Sequence, residues 1–437
     1  MERQWRMGDG AWRVLVLLAA LAPLPAAAHG ARTDELRTYT QTLGAHEVTI
    51  VMQPTSRVPG PLALTVWLRG PDAPALVLRA TPAAAWPADG NRATVQVLAG
   101  DRGPYHVVLQ VDRHGLWELD LQLSSPTAET RATLPFTVVD AAGDQSRWWP
   151  HALFGVAGVM VLASAAAGLT RRLPVLAWLG AAAALVALSV AATLAAQQAF
   201  MPPRPATPVS VPHINAAFAF APARPVVGSP LLLGVRLSDG GTGQVVDDVT
   251  VLHTALLHLV IVSDDGANFA HLHPARTAPG SYQVGFTPLR AGGYTAYLEI
   301  ARNGGAQVVA RRFVVAGEPG VPVATPGFGT QTVADLRIAV DSPRTPLRTG
   351  EPQTLTLRVT GQSATTIEPW LGMAGHMIIV ASDGSVFGHV HGTLLDAQTA
   401  TLAFTYQFPA AGTYRLWGQF QHAGQLITVP FTIDVTS

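Results

Sequence analysis

His376-Met-Ile-Ile-Val-Ala-Ser-Asp-Gly384 reads as a strand running into a turn, and Val386-Phe-Gly-His-Val-His391 reads as the strand that returns. A run of apolar and β-branched residues favours an extended chain. Asp-Gly suits a two-residue hairpin loop, because Gly takes positive φ at no steric cost. The same arrangement stands earlier in the chain. At a spacing of 118 residues, His258-Leu-Val-Ile-Val-Ser-Asp-Asp-Gly266 falls on the first stretch and Phe269-Ala-His271-Leu-His273 on Phe387-Gly-His389-Val-His391. Further on, Ala291-Gly-Gly-Tyr294 matches Ala411-Gly-Thr-Tyr414 after a two-residue shift. The chain carries a duplicated β module, and whatever the shared residues do it carries twice.

Side chains alternate across a strand, so the turn sets which residues meet. With Asp383-Gly384 as the loop, Ser382 pairs with Ser385 and His376 faces His391, with His389 the diagonal neighbour on the same face. The same count places His258 opposite His273 with His271 diagonal. Facing Cβ atoms stand roughly 5 Å apart, close enough for imidazoles to share one ion at roughly 2 Å. Three neutral imidazoles suit copper, zinc or nickel. The candidate metal ligands are therefore His258, His271, His273, His376, His389 and His391, with Met373 added because a thioether favours Cu(I); its counterpart in the first copy is Ala255. A bland reading fits the same residues: Ile378, Val380 and Phe387 share the face, and the histidines could simply cap a packed end. His106 and His114, scattered singly, carry no argument.

Outward from this pair, the chain divides. Residues 213–316 and 333–437 are the two copies, joined by a Pro/Gly-rich linker at 317–332, and a Pro-rich linker at 197–212 precedes them. Residues 29–145 hold about seven further short alternating runs, from His46–Met52 to Arg131–Val139, separated by turn residues. The fold class expected is mainly β: three immunoglobulin-like β-sandwich modules plus a two-helix transmembrane hairpin. The hairpin is expected at 148–196, where apolar runs flank a turn at 170–172 containing Arg171 and Arg172. Residues 1–28 read as a signal peptide, with Arg3, Arg6 and Arg13 ahead of an apolar stretch and Ala26-Ala27-Ala28 for cleavage. The arginine turn points to the cytoplasm, so the expected location is the plasma membrane, multi-pass, with all three modules outside. Cleavage after Ala28 would expose His29, as in exported copper carriers that begin with His; with no partner ligand identifiable, chance is the favoured explanation of a single such His.

Composition narrows the function. Charged residues make up 13%, against roughly 25% in soluble domains, as long apolar segments would cause. The 28 basic residues, all Arg, balance 28 acidic ones, and no basic tract offers a nucleic-acid surface. There is no cysteine, which removes thiolate nucleophiles, thiolate zinc sites and blue-copper centres. A catalytic metal would need a general base beside it. The nearest carboxylates, Asp264, Asp265 and Asp383, lie at the far end of each hairpin, and Glu299 is replaced by Gln419, so no enzymatic role is expected.

A strand His, an Asp-Gly turn, Phe-x-His-x-His and then Gly-x-Tyr-x-Leu-Trp resemble exported bacterial proteins with YtkA-like domains. Leu371–His391 and Gly412–His422 carry the resemblance. It implies small β-sandwich modules associated with copper handling, and a partner such as an oxidase-assembly or metal-transport component of the cell envelope. The expectation is a membrane-anchored metal-binding protein for copper delivery, buffering or tolerance, with zinc as the alternative ion. A metal-independent interaction scaffold is the competing reading.

Overall fold

The structure is a computed structural model. It describes residues 36–53, 55, 58–70, 75–82, 91–96, 103–124, 129–138, scattered positions between 157 and 190, 213–302, 305–318, 320–321, 325–361 and 366–437.

The chain is mainly β. In the N-terminal module, β1 (Arg37–Leu43), β2 (His46–Gln53), β3 (Gly60–Arg69), β4 (Ala75–Pro82), β5 (Asn91–Gln96), β6 (Tyr105–Val111), β7 (Gly115–Ser124) and β8 (Glu129–Val138) form two sheets. Their orders are β1-β2-β3-β6 and β5-β4-β7-β8. Inward residues alternate with outward ones, as Leu62, Leu64, Val66 and Leu68 do on β3, and face Leu119, Leu121 and Leu123 of β7 across one core. Strand β1 is additional to the seven runs legible in the sequence. Its Thr-rich segment lacks a regular apolar alternation, and pairing with β2 across the Gly44-Ala45 turn makes it a strand.

The first repeat contains β9 (Ile214–Ala221), β10 (Leu231–Asp239), β11 (Leu257–Ser263), β12 (Phe269–Leu272), β13 (Ala275–Ala278), β14 (Ser281–Phe286), β15 (Gly292–Arg302) and β16 (Gly305–Val315). They form sheets ordered β13-β14-β10-β9 and β12-β11-β15-β16. The second repeat contains β17 (Gly329–Val333), β18 (Leu336–Asp341), β19 (Leu347–Arg348), β20 (Pro352–Thr360), β21 (Gly375–Ala381), β22 (Phe387–Asp396), β23 (Thr401–Gln407), β24 (Gly412–His422) and β25 (Gln425–Thr436). Here the two layers are continuous, because β22 pairs first with β21 and then with β23. In the first repeat the equivalent chain breaks between β12 and β13 at Pro274, which cannot donate to a ladder. Gly392 takes that place in β22, where a Cβ would come within 2.7 Å of the Phe404 ring.

The repeats pack on each other through the outer faces of β11 and β21. Leu259 and Ile261 point into the first repeat's own core, and Met377 and Ile379 into the second's. Their alternates Val260, Val262, Ile378 and Val380 meet in a separate cluster with Tyr297 and Trp417. Phe269 stacks on Trp417 with ring centroids 4.8 Å apart and planes 10° apart, and Phe387 stacks on Tyr297 at 4.9 Å and 17°. Phe269 corresponds to Phe387 in the duplication and Tyr297 to Trp417, so the interface uses one patch of each repeat on its equivalent. Both β11 and β21 are buried along their whole length, which is why they read as unbroken apolar runs rather than alternating ones.

The N-terminal module closes the assembly. Thr40 N–H donates to Thr254 O at 2.6 Å and Thr42 N–H to His273 O at 2.7 Å. Buried Arg276 donates to Asp247 at 2.7 Å and to Glu118 of the N-terminal module at 3.0 Å.

The multi-pass membrane placement expected from residues 148–196 is corrected. A span needs about 20 consecutive helical residues, and among the described residues no helix is long and apolar enough to cross a membrane. Those described between 157 and 190 are helical. Hydropathy measures only the apolar character of a segment, not the length of helix it forms. The Arg171-Arg172 turn, residues 1–28 and His29 lie outside the described residues.

Candidate metal centre

The duplicated strand-turn-strand places the histidines. On β21 and β22, His376 pairs with His391 and Ile378 with His389. On β11 and β12, Val260 pairs with His271, a register that brings His258 opposite His273. The turns differ in detail from a two-residue loop. Gly384 N–H bonds Ala381 O and Ala381 N–H bonds Val386 O, so Ser382 and Ser385 belong to the loop. Their number is equal on the two sides, and the register below the turn is unchanged. Gly266 does the same in the first repeat, with φ of 74° against 76° at Gly384.

The histidine face of each hairpin is also the face that meets the other repeat, so two clusters become one. His258 and His389 have ring centroids 5.0 Å apart, His271 and His389 5.0 Å, and His271 and His376 6.1 Å. A seventh ring joins them: His253, in the turn before β11, lies 3.7 Å from His391. That turn is strained. His253 and Thr254 hold φ of 48° and 67°, a region that costs a β-branched residue about 1–3 kcal/mol and recurs at functional sites. The second repeat has Leu371-Gly372 there, with similar angles. Met373 closes that turn, half-buried, its backbone exchanging two hydrogen bonds with Trp370.

Hydrogen bonds divide the ring nitrogens into outer and inner sets. His258 Nε2–H donates to Leu252 O at 2.8 Å. His271 Nδ1–H donates to Gln419 Oε1 at 2.9 Å, with the Gln419 amide nitrogen donating to Thr428 Oγ1. His389 Nδ1–H donates to Glu299 Oε2 at 2.8 Å. His273 Nδ1 stands 3.4 Å from Glu47 Oε2 of the N-terminal module, and Glu47 also accepts from the Trp370 indole at 3.1 Å. His258, His271 and His389 each present the second nitrogen inward, the arrangement by which outer partners fix the tautomer of a metal-binding imidazole. Inside, His258 Nδ1 faces His271 Nε2 at 3.2 Å. Buried without a hydrogen-bond partner are His253 Nδ1, both nitrogens of His273 and of His376, His389 Nε2 and His391 Nε2, a concentration of unsatisfied polar atoms that ordinary cores avoid.

The electrostatics favour neutral rings. Burial first, then the neighbouring imidazoles, hold His258, His271 and His376 well below the usual imidazole range. The same causes bring His389 to about 3 and His253 and His391 to about 4. Burial raises the Glu299 carboxyl against the opposing pull of His253 and His391. Burial also works to raise Glu47, but His273, Trp370 and Arg69 together bring it below its ordinary value. A cleft of about 1100 Å³ where the three modules meet is lined by Glu47, Arg69, Trp370 and His271.

Among the described residues, two groups of three histidines bring one nitrogen each within 4.8 Å of one another: His258, His271 and His273, all buried, and His253, His389 and His391, all half-buried. The first is the triad read from the sequence. In the second, His253 of the first repeat stands in the place expected of His376, which remains beside the cluster 5.0 Å from His391. Sequence reasoning also left out Glu47, Gln419 and Trp370, and set Glu299 aside because Gln419 replaces it. The two are equivalent in position: each bonds the middle histidine of the opposite repeat.

Both repeats match one family model. It is described as a domain of unknown function, DUF8832, and the matched residues are 215–317 and 331–437. No curated protein matches the chain. Among solved structures, the alpha-2-macroglobulin of Escherichia coli activated by porcine elastase is similar at 11% identity and a TM-score of 0.18, over 90% of this chain and 33% of that one. The chain thus spans about a third of the macroglobulin. The E. coli adhesin FdeC is similar at 13% identity and a TM-score of 0.19, over 91% of this chain and 99% of that one. At such scores these likenesses carry no functional argument.

Proposed function

We propose that this protein binds a transition-metal ion, copper or zinc, in the histidine cluster between its two repeats, with the three modules acting as immunoglobulin-like sandwiches that hold the ligands. The convergence of seven imidazoles carries the reading, with His258 Nδ1 3.2 Å from His271 Nε2 and buried nitrogens without a hydrogen-bond partner on His253, His273, His376, His389 and His391. The two facing nitrogens can share one proton or, with both lone pairs turned inward, one cation. Two nitrogens about 2.05 Å from one ion and that far apart subtend about 100° at it, close to tetrahedral. His273 Nε2 supplies the third donor, and Glu47 offsets the charge of a buried cation. The donor set is neutral imidazole throughout, which copper(I), copper(II) and zinc all accept.

The function proposed is binding, for delivery, buffering or tolerance, with no catalytic step. The resemblance of Leu371–His391 to YtkA-like modules belongs to the same proposal and puts copper ahead of zinc. A partner would be a metal-handling protein. The scaffold reading also has an observation in its favour: the aromatic stacks and the His271–Gln419 and His389–Glu299 bonds join the repeats without any ion.

Titration of the chelator-treated full chain with Cu(I), Cu(II) and Zn(II) separates the two. Metal binding predicts saturable uptake of at least one ion that the His258→Ala/His271→Ala double variant loses. Absence of saturable uptake of all three would leave the scaffold.

A further inference from the structure

We propose a second metal site, distinct from the buried triad, whose ligands His253, His389 and His391 come from both repeats, so that an ion there fastens the two together. This rests on the reading of the cluster as metal-binding and adds a position, an ion and a mechanical consequence.

The donors are His253 Nδ1, His389 Nε2 and His391 Nε2. All three are buried atoms without a hydrogen-bond partner, and the three rings can bring one nitrogen each within 4.8 Å of one another. Tetrahedral nitrogens about 2.05 Å from an ion stand about 3.3 Å apart. The rings therefore need to close by no more than about 1.5 Å, which χ2 rotation of an imidazole supplies, because that torsion is broad.

Three features make this a built site. Glu299 accepts from His389 Nδ1 at 2.8 Å, which directs His389 Nε2 to the interior as second-shell carboxylates do. Its charge acts on His253 and His391 as well, so it offsets an ion at this position as Glu47 does at the other. The strained turn aims His253: Thr254 O accepts from Thr40 N–H at 2.6 Å, and its hydroxyl lies 3.3 Å from that of Thr40. The N-terminal module thus holds in place a conformation that His-Thr would not choose. Finally, one largely buried carboxylate stands beside each triad, Glu47 at the first and Glu299 at the second.

The mechanical consequence follows from connectivity. His253 belongs to the first repeat, while His389 and His391 lie on β22 of the second. An ion bound to all three places coordinate bonds across the interface already formed by the Phe269–Trp417 and Tyr297–Phe387 stacks. The buried triad, by contrast, lies within the first repeat, and an ion there adds no bond between repeats.

The test is a titration of the chelator-treated full chain with Co(II), followed by its visible absorption, on wild type, His253→Asn and His391→Ala. Asn tolerates positive φ, so His253→Asn preserves the turn while removing the imidazole. Two equivalents are expected for wild type and one for each variant, with the spectrum of the remaining ion unchanged. Urea titration of the loaded proteins, followed by interface tryptophan fluorescence, should show a wild-type midpoint above that of either variant by more than their metal-free midpoints differ. One equivalent in wild type, or two retained in both variants, overturns the second site and leaves the buried triad standing. Equal metal-induced midpoint shifts overturn the fastening. No Co(II) uptake in wild type sinks the metal reading itself.

Discussion

Acidification should loosen the metal-free interface between the repeats, by an amount that the histidine environment sets. Take the chelator-treated chain from pH 7.5 to pH 5. In the unfolded chain each imidazole has an ordinary pKa of about 6.5 and takes a proton over this range. In the folded chain His258, His271, His376 and His389 are buried and held below it. The unfolded state therefore binds more protons, and stability falls as pH falls below about 6.5. Each ring that stays neutral at pH 5 contributes a loss of about 2 kcal/mol, and four such rings about 8 kcal/mol as an upper bound. Glu299 works the other way: its raised carboxyl takes up a proton in the folded state first and recovers part of the loss. A loss of several kcal/mol is comparable to the whole stability of a domain. Urea denaturation at pH 7.5, 6.5, 5.8 and 5.0 measures it, with tryptophan fluorescence reporting on buried Trp370 and Trp417. The urea midpoint should fall steadily below pH 6.5, and His376→Gln should flatten the fall. A midpoint unchanged between pH 7.5 and 5 would refute the burial of neutral imidazoles on which the site rests.

Other consequences are open to measurement. Trp417→Ala removes a buried indole stacked on Phe269 and should cost about 3–5 kcal/mol, read as a lowered urea midpoint; a loss below 1 kcal/mol would mean the repeats do not pack this way. Arg276→Met leaves Asp247 and Glu118 without their shared cation. It should cost about 3–5 kcal/mol and expose the segment between the N-terminal module and the first repeat to limited proteolysis, whereas an unchanged digest would count against that docking. Glu299→Gln keeps a hydrogen-bond acceptor for His389 but removes the charge. Metal affinity should fall about 10- to 100-fold, as for loss of an outer-shell partner, and equal affinity in a competition assay with a metal chelator would remove Glu299 from the centre.

Much of the site was legible because a hairpin turn fixes every pair below it. Asp383-Gly384 and Asp265-Gly266 set the register that puts His376 across from His391 and His258 across from His273, even though the loops are longer than two residues. The convergence of the two copies was not legible. Its trace is the apolar character of both alternating sets on β11 and β21, Val260 and Val262 as well as Leu259 and Ile261. That pattern says both faces are covered without saying by what. His253 has Leu371 as its counterpart, so comparison of the copies discards it, and only the turn geometry returns it to the cluster. Glu47 lies in another module, and no local pattern connects it to His273. The apolar segment at 148–196 shows the opposite failure: composition alone suggested spans that the described helical residues do not form.

X-ray absorption at the metal edge of the loaded full chain, Cu or Zn, tests the centre most directly. The account predicts a first shell of nitrogen and oxygen at about 2.0–2.1 Å with the outer-shell scattering of several imidazole rings and no sulfur, lost when His253, His258, His271 and His391 are all replaced by Ala. A sulfur ligand, a shell without imidazole scattering, or the same spectrum in that fourfold variant would contradict it.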